Sequence, residues 1–297
     1  SPALVGGDTF GKGTKGSKNT LSFKTTAHDK SVTVKWYFES QDAGKVSFKL
    51  ISPSGTTSSV LAAESDLADG YAVITLPSGS ATGNWTAEVS YSDSMKEEVS
   101  VEALTDSSVQ MVASVNGGTM ADKNKPPMLQ ARLSGDFPIA GATVTADIYS
   151  VDTGEVVLAG VVLKDDGLGL DSRPNDGLYT ADLSGKLPAG DYAAAIFAVS
   201  NSGTVFQPNQ VFLPGPGTIA TTPVGLGLER MEVLDFSLEA GNSGVAAGAS
   251  ASNGAMSDGG GCTVVMGQAD GGLVLLLAAA LVGMALRRRR RGDAMDL

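Results

Sequence analysis

The residues best suited to chemistry lie in one acidic stretch, residues 163–179. This stretch holds four carboxylates and one amide, namely Asp165, Asp166, Asp171, Asp176 and Asn175. Oxygen donors of this kind suit calcium, which takes about six to eight oxygen ligands, some of them backbone carbonyls and waters. Interspersed glycines allow the chain to fold back so that the carboxylates converge. The sequence therefore predicts a calcium site built from these five residues.

The same stretch also fits two linked turns, Asp-Asp-Gly and Asn-Asp-Gly, whose side chains cap their own backbone. Its spacing is not that of an EF-hand, because the glycine comes early and no glutamate closes the loop. On the turn interpretation, Tyr179 is a core or corner residue of a β-sandwich. Both interpretations stay open at the level of sequence.

Few other residues could perform catalysis. The single cysteine, Cys262, excludes an internal disulfide and a cysteine-built zinc site, and the single histidine, His28, argues against a histidine triad. His28 lies in a turn-like segment, where we expect a solvated side chain. Since neither a Walker loop nor a Gly-x-Ser-x-Gly elbow is present, we expect no enzyme and no cofactor other than calcium.

The charge pattern excludes a nucleic-acid partner. The formal net charge is −11, and five of the 21 basic residues stand together near the end of the chain, at Arg287, Arg288, Arg289, Arg290 and Arg291. Phosphate binding needs clustered basic residues on the folded part, which is more acidic still.

Short alternating strands separated by turn clusters predict an all-β chain with two tandem antiparallel, immunoglobulin-like β-sandwiches. We place a linker at residues 1–17, the sandwiches at 18–106 and 107–213, and a flexible Gly/Ser/Ala stalk at 214–261. Trp36 and Trp85 are expected in the core rather than on a saccharide-stacking surface.

The tail, residues 262–297, predicts a membrane segment. Gly271–Leu286 carries no charge and would form a helix about 24 Å long, slightly short of a hydrocarbon core of ~30 Å. The arginine cluster follows at once and would stay cytoplasmic, which puts residues 1–270 outside. Because Ser1 is not a start methionine, we expect a signal peptide, and further domains, upstream.

The order of glycine motif, apolar helix and arginine cluster resembles the tripartite C-terminal sorting signals of Gram-negative bacteria. The motif residues are Gly259, Gly260, Gly261 and Cys262, and they look most like the JDVT type, with broader similarity to the GlyGly and Myxo types. The resemblance implies that an intramembrane sorting protease cuts near the motif, with Cys262 as a candidate for lipid attachment. A permanent single-span anchor is the alternative.

Both predicted sandwiches resemble known modules. The first, with Ser-Pro-Ser-Gly-Thr at 52–56 and Gly-Asn-Trp-Thr at 83–86, is similar to modules beside von Willebrand A domains and to the P-domain of subtilisin-like proteases. The second resembles the C-terminal sandwich of calcium-activated chloride channel regulators and bacterial choice-of-anchor domains. This resemblance rests on the DDG-x-G-x-D-x-x-x-NDG-x-Y pattern of residues 165–179.

The leading hypothesis is therefore a non-catalytic exported protein with spacer or adhesion sandwiches, anchored at or released from the cell envelope. Its extracellular ligand would be a protein or a glycan. The alternative is that these sandwiches are accessory domains of a larger secreted enzyme, such as a protease, or of a von Willebrand A protein.

Overall fold

The computed structural model describes residues 2–59, 67–76, 79, 82–116, 126–208 and 220–239. Besides one 3-10 helix, Ser40–Lys45, the regular secondary structure of these residues is β-strand, joined by turns and loops. The strands of the first half are β1 (Pro2–Phe10), β2 (Lys18–Thr25), β3 (Val32–Tyr37), β4 (Val46–Ile51), β5 (Thr57–Ser59), β6 (Tyr71–Leu76), β7 (Gly83–Tyr91) and β8 (Val99–Asp106). Those of the second half are β9 (Gln110–Val115), β10 (Met128–Ser134), β11 (Ile139–Ala140), β12 (Thr143–Ser150), β13 (Val156–Leu163), β14 (Leu178–Asp182), β15 (Gly190–Val199), β16 (Val205–Phe206), β17 (Thr222–Pro223) and β18 (Glu229–Leu238). The prediction of an all-β chain is confirmed.

The first sandwich packs the sheet β2-β7-β4-β5 against strands β1, β8, β3 and β6. Alternation explains its core, because every second residue of β3 and β7 points inward. Trp36 and Trp85 are 0% and 2% exposed, so both are core residues, as predicted. The indole of Trp85 donates a hydrogen bond to Thr25 Oγ1 over 2.9 Å, which satisfies its buried N–H.

The second sandwich packs the sheet β14-β10-β9 against strands β13, β12, β15 and β18. Strand β15 is buried along nearly its whole length, because its alternate residues contribute to two different apolar clusters. A small sheet, β11-β16-β17, completes this half.

The two sandwiches share one sheet. Its strand order is β13-β12-β15-β18-β1-β8-β3-β6, so the first strand of the chain lies beside the last one described. Leu4 of β1 lies opposite Met231 of β18, and both belong to an apolar cluster separate from the two sandwich cores. The two cores therefore lie on the other face of the shared sheet.

The structure differs from the sequence expectation at both ends of the folded body. Residues 1–17 were expected to be a linker, but Pro2–Phe10 form a central strand. The Gly6-Gly7 pair in this strand is typical of a turn. In the structure, Gly6 instead lets the backbone of β1 pass close to Phe23, because a Cβ on Gly6 would lie 3.0 Å from Phe23 Cβ. The stalk was expected from residue 214, but Glu229–Leu238 form another central strand.

The predicted sorting signal and the apolar segment Gly271–Leu286 lie outside the described residues. Within the part that is described, no helix has the length and apolar character needed to cross a bilayer.

Candidate functional site

The acidic loop connects the end of β13 to the start of β14 and is tied at its base. Lys164 and Thr180 exchange two backbone hydrogen bonds of 2.9 and 2.8 Å. The neighbouring side chains of Leu163 and Tyr179 are buried in the core of the second sandwich. The Tyr179 hydroxyl donates to the Ile139 carbonyl at 3.0 Å, which makes this tyrosine the core residue that the turn interpretation expected. The loop is therefore held on a rigid frame.

Three of the five predicted ligands converge. Carboxylate oxygens of Asp165, Asp171 and Asp176 all lie within 4.8 Å of one another. Asp171 is buried, while Asp165 and Asp176 are partly exposed. The loop therefore brings together three carboxylates that are five to eleven residues apart along the chain.

The other two predicted residues do not belong to this cluster of carboxylates. Asp166 is exposed, and its carboxylate lies 3.9 Å from Lys164 Nζ. Asn175 is exposed and adopts a left-handed conformation with φ of 59°. Its role is that of a turn residue, a position for which asparagine is well suited.

The turn interpretation also describes real contacts. Asp165 accepts backbone hydrogen bonds from Asp176 and Gly177, each 3.0 Å long. Asp171 accepts from Gly167 at 2.6 Å and from Arg173 at 3.2 Å. A carboxylate oxygen that accepts one such bond keeps a second acceptor position. Backbone capping and cation binding are therefore compatible here.

Gly177 could not carry a side chain without strain in this loop. Gly177 has a φ of 76°, and a Cβ on it would lie 2.8 Å from the Leu133 carbonyl oxygen. The backbone must pass here in a conformation that side chains disfavour. Gly177 thereby aims its N–H at Asp165.

The electrostatics of the cluster favour a cation. Burial raises the pKa of Asp165 from 3.8 to about 6, against the two backbone hydrogen bonds that lower it. The charges of Asp176 and Asp171 raise this pKa further. Three carboxylates offer up to six oxygens, the hard donors that calcium prefers, and nearby carbonyls could complete the coordination.

The junction of the two sandwiches holds an ion pair that the sequence did not predict. Arg230 of β18 lies 2.7 Å from Asp29, and both side chains are 1% exposed. Its guanidinium also donates to the Val109 carbonyl at 2.9 Å and to the Ser107 hydroxyl. The signal available in the sequence was the single arginine of segment 229–238, which is otherwise apolar, acidic or neutral. An unpaired charge would be costly if that segment were buried.

His28 lies at the same junction rather than in a solvated turn. Its Nε2 is 3.0 Å from the Val224 carbonyl oxygen, and its ring meets the edge of Phe206 with centroids 5.5 Å apart. The expectation of a solvated histidine was wrong, because the turn of residues 26–29 packs against the second sandwich.

The chain has partial similarity to several known proteins. Residues 29–104, within the first sandwich, match the family described as the proprotein convertase P-domain. Calcium-activated chloride channel regulator 1 of Bos taurus is 27% identical over 170 residues, which cover 54% of this chain and 18% of that protein. The chain thus spans less than a fifth of this relative.

Two solved structures match this chain at a low level of similarity. A DUF4785 family protein from Legionella pneumophila matches with a TM-score of 0.40 and 11% identity, over 80% of this chain and 65% of that chain. A Bacillus licheniformis lipase in its propeptide form matches with a TM-score of 0.36 and 13% identity, over 79% and 44% of the respective chains.

Proposed function

We propose that this chain is a non-catalytic exported protein whose two sandwiches form a stiff spacer and adhesion unit. The observation that supports this proposal is the eight-stranded sheet that both sandwiches share. The buried Arg230–Asp29 pair adds to it, because separating the sandwiches would leave each charge without its partner. Domains joined only by a linker move by default, whereas these are also joined by the strand pairing at Leu4 and Met231 and by the ion pair.

The proposed site of action is outside the cell. The P-domain match and the similarity to a chloride channel regulator support an extracellular β-sandwich module. In this proposal Gly271–Leu286 and the arginines at 287–291 hold an inner-membrane intermediate with a cytoplasmic C-terminus. An intramembrane sorting protease then cuts near Cys262, and the sandwiches reach the cell surface or the medium.

Protease treatment of intact cells tests this placement. We expect the sandwiches to be degraded from outside, and we expect a chain without residues 259–297 to lose its association with the envelope. Cys262→Ala should slow processing, whereas Ser257→Ala, just outside the motif, should not. Protection of the sandwiches in intact cells would contradict the proposal.

We further propose that calcium binds at Asp165, Asp171 and Asp176 and stabilises the loop. A cation bound only by the folded state raises stability, by about 2.7 kcal/mol at a concentration of 100 times the dissociation constant. We expect millimolar calcium to raise the unfolding midpoint, and Asp171→Asn to abolish that rise.

Asp166→Asn is the matched control, because Asp166 lies in the same loop but outside the carboxylate cluster. It should keep the calcium response. An unchanged midpoint of the wild-type chain in calcium would remove the proposal, and so would equal effects of the two substitutions.

A second candidate function is an accessory unit of a larger secreted enzyme or von Willebrand A protein. The P-domain match at residues 29–104 favours it, since that module is named for proprotein convertases. The gene upstream of Ser1 decides between the two. A catalytic domain encoded there would support the accessory role, and a signal peptide directly before Ser1 would contradict it.

A further inference from the structure

The first sandwich presents an ordered set of side chains on the face of the shared sheet that points away from its core. Neighbouring strands β6, β3 and β8 place three residues side by side at each of three levels. We call this set the outer grid, and its levels are Tyr71, Tyr37 and Ser100; Val73, Lys35 and Glu102; and Thr75, Thr33 and Leu104. Ser100 and Val73 are buried, so the other seven residues form its accessible part.

One end of the outer grid is aromatic. Tyr37 and Tyr71 lie opposite each other on β3 and β6, with ring centroids 5.5 Å apart and planes tilted by 46°. Both side chains are partly exposed. Tyrosine offers a flat apolar ring with a polar tip, a combination common at binding surfaces that are partly wet.

The middle level of the outer grid places one basic and one acidic side chain beside the buried Val73, so it carries no net charge. Lys35 lies opposite Glu102, and burial, followed by the nearby Glu102 carboxylate, raises the pKa of Tyr37. At the next level the hydroxyls of Thr33 and Thr75 are 3.4 Å apart. Donors and acceptors therefore alternate beside the two rings, over a distance of about 13 Å from Tyr37 to Thr33.

A cavity of about 350 Å³ opens at the threonine end. Thr33, Lys35 and Leu104 of the outer grid line it, together with Ser31 and Asp106. This volume lies in the range of small-molecule sites, which is roughly 300–1,000 Å³. Strand β3 thus links the rings to the cavity through Lys35 and Thr33, which are partly exposed and line it.

We propose that the outer grid binds a neutral oligosaccharide. The tyrosine rings would stack on the apolar face of one sugar ring, Lys35, Glu102 and Thr33 would bond sugar hydroxyls, and the cavity would take the end of the chain. Sugars combine an apolar face with a rim of hydroxyls, which is what this surface complements.

The negative charge of the protein favours a neutral sugar over a polyanionic one. The Lys35–Glu102 pair cancels locally, and the chain carries a formal charge of −11, which repels polyanions. The inference rests on the proposed adhesive role and names its ligand. It is tested without cells, so its failure would leave the spacer and its placement untouched.

Affinity electrophoresis and calorimetry of the full chain test this proposal. A detergent without sugar headgroups is used, since sugar headgroups would compete. The probes are hexasaccharides of glucose, mannose and N-acetylglucosamine, and gels that contain the corresponding neutral polysaccharides. We expect at least one of the three to bind, and Tyr71→Ala to weaken binding at least about tenfold, as is usual for an aromatic anchor.

Two variants separate stacking from loss of folding. Tyr71→Phe keeps the ring and should keep most of the affinity. Phe137→Ala removes an aromatic that is 47% exposed on the second sandwich and should change nothing. The proposal is overturned if no probe binds at millimolar concentration, or if Phe137→Ala weakens binding as much as Tyr71→Ala. It is also overturned if the wild type is a dimer that Tyr71→Ala separates, because a second copy would then cover the outer grid.

Discussion

Asp165 has a folded-state pKa of about 6, above its ordinary value of 3.8. The folded protein therefore holds this proton more tightly than the unfolded chain does. Without a cation, stability falls as the pH rises through the interval between these two values. A calcium ion at the cluster would offset the repulsion that appears when all three carboxylates are charged.

Calcium binding should therefore depend on pH. We expect the calcium-induced rise of the unfolding midpoint to be large at pH 7.5 and small at pH 5, because protons compete for Asp165 below about 6. Differential scanning calorimetry at both pH values measures it, with sodium chloride of equal ionic strength as the control. A rise that is equal at the two pH values would contradict the role of Asp165.

Glu232 is a second partly buried carboxylate whose ionisation should affect stability. Burial raises its pKa from 4.5 to about 7, so its ionisation destabilises the fold as the pH rises between these values. We expect Glu232→Gln to stabilise the protein by on the order of 2 kcal/mol at pH 8, and by nothing at pH 4. Urea unfolding at both pH values measures the difference.

Glu229→Gln is the control for this substitution. Glu229 lies on the same strand but is exposed, so its replacement should be neutral at both pH values. If Glu232→Gln gave the same gain at pH 4 as at pH 8, the effect would come from packing and not from charge.

At the scale of elements, the contact between β18 and the turn at Asp29 joins the two halves. Removing one partner of a buried ion pair costs about 3–5 kcal/mol, because the other charge stays buried. We expect this loss for Arg230→Met, measured by denaturant unfolding. Arg230→Met combined with Asp29→Leu should recover part of it, since no lone charge then remains.

An exposed ion pair provides the control. Lys12 lies 3.6 Å from Glu97, and their side chains are 58% and 51% exposed. Lys12→Met should cost at most about 1 kcal/mol. If Arg230→Met cost no more than Lys12→Met, the pair would not be a structural tie.

Strands with regular alternation could be predicted from the sequence, and β3 and β7 are examples. Strands β1 and β18 could not, because Gly6-Gly7 and the charges of Arg230 and Glu232 interrupt their patterns. Their partners are remote, as the pairing of Leu4 with Met231 shows. Such a contact has no local signature.

The geometry of the acidic loop could also be predicted only in part from the sequence. Its composition predicted oxygen ligands, but not that Asp165, Asp171 and Asp176 converge while Asp166 faces Lys164. Which carboxylates converge depends on the residues that adopt a left-handed backbone conformation, among them Gly177. Spacing alone does not reveal which residues turn the chain.

For the whole molecule, strand order makes the last described strand indispensable. Strand β18 lies between β15 and β1 and pairs with the full length of β15. A chain that ends at residue 213 should therefore lose the second sandwich. The first sandwich should survive, because all its core residues lie between Val5 and Ala103.

Limited proteolysis followed by mass spectrometry measures this outcome. A chain that ends at residue 239 is the control and should protect both halves. If the shorter chain protected residues 109–208 equally well, the shared sheet would not be required for the second fold.

The place of β1 also sets the order in which the protein can be assembled. During synthesis the first sandwich has all its strands once residue 106 has emerged, well before β18 exists. Until β18 has formed, the side of β1 at Leu4 is an open edge, a template on which another chain could add a strand. The long reach from β1 to β18 also slows closure, since distant pairings carry the largest loop entropy. The newborn chain thus passes through a period in which this edge is exposed, and the period ends when β18, the last strand described, pairs with β1 at Leu4.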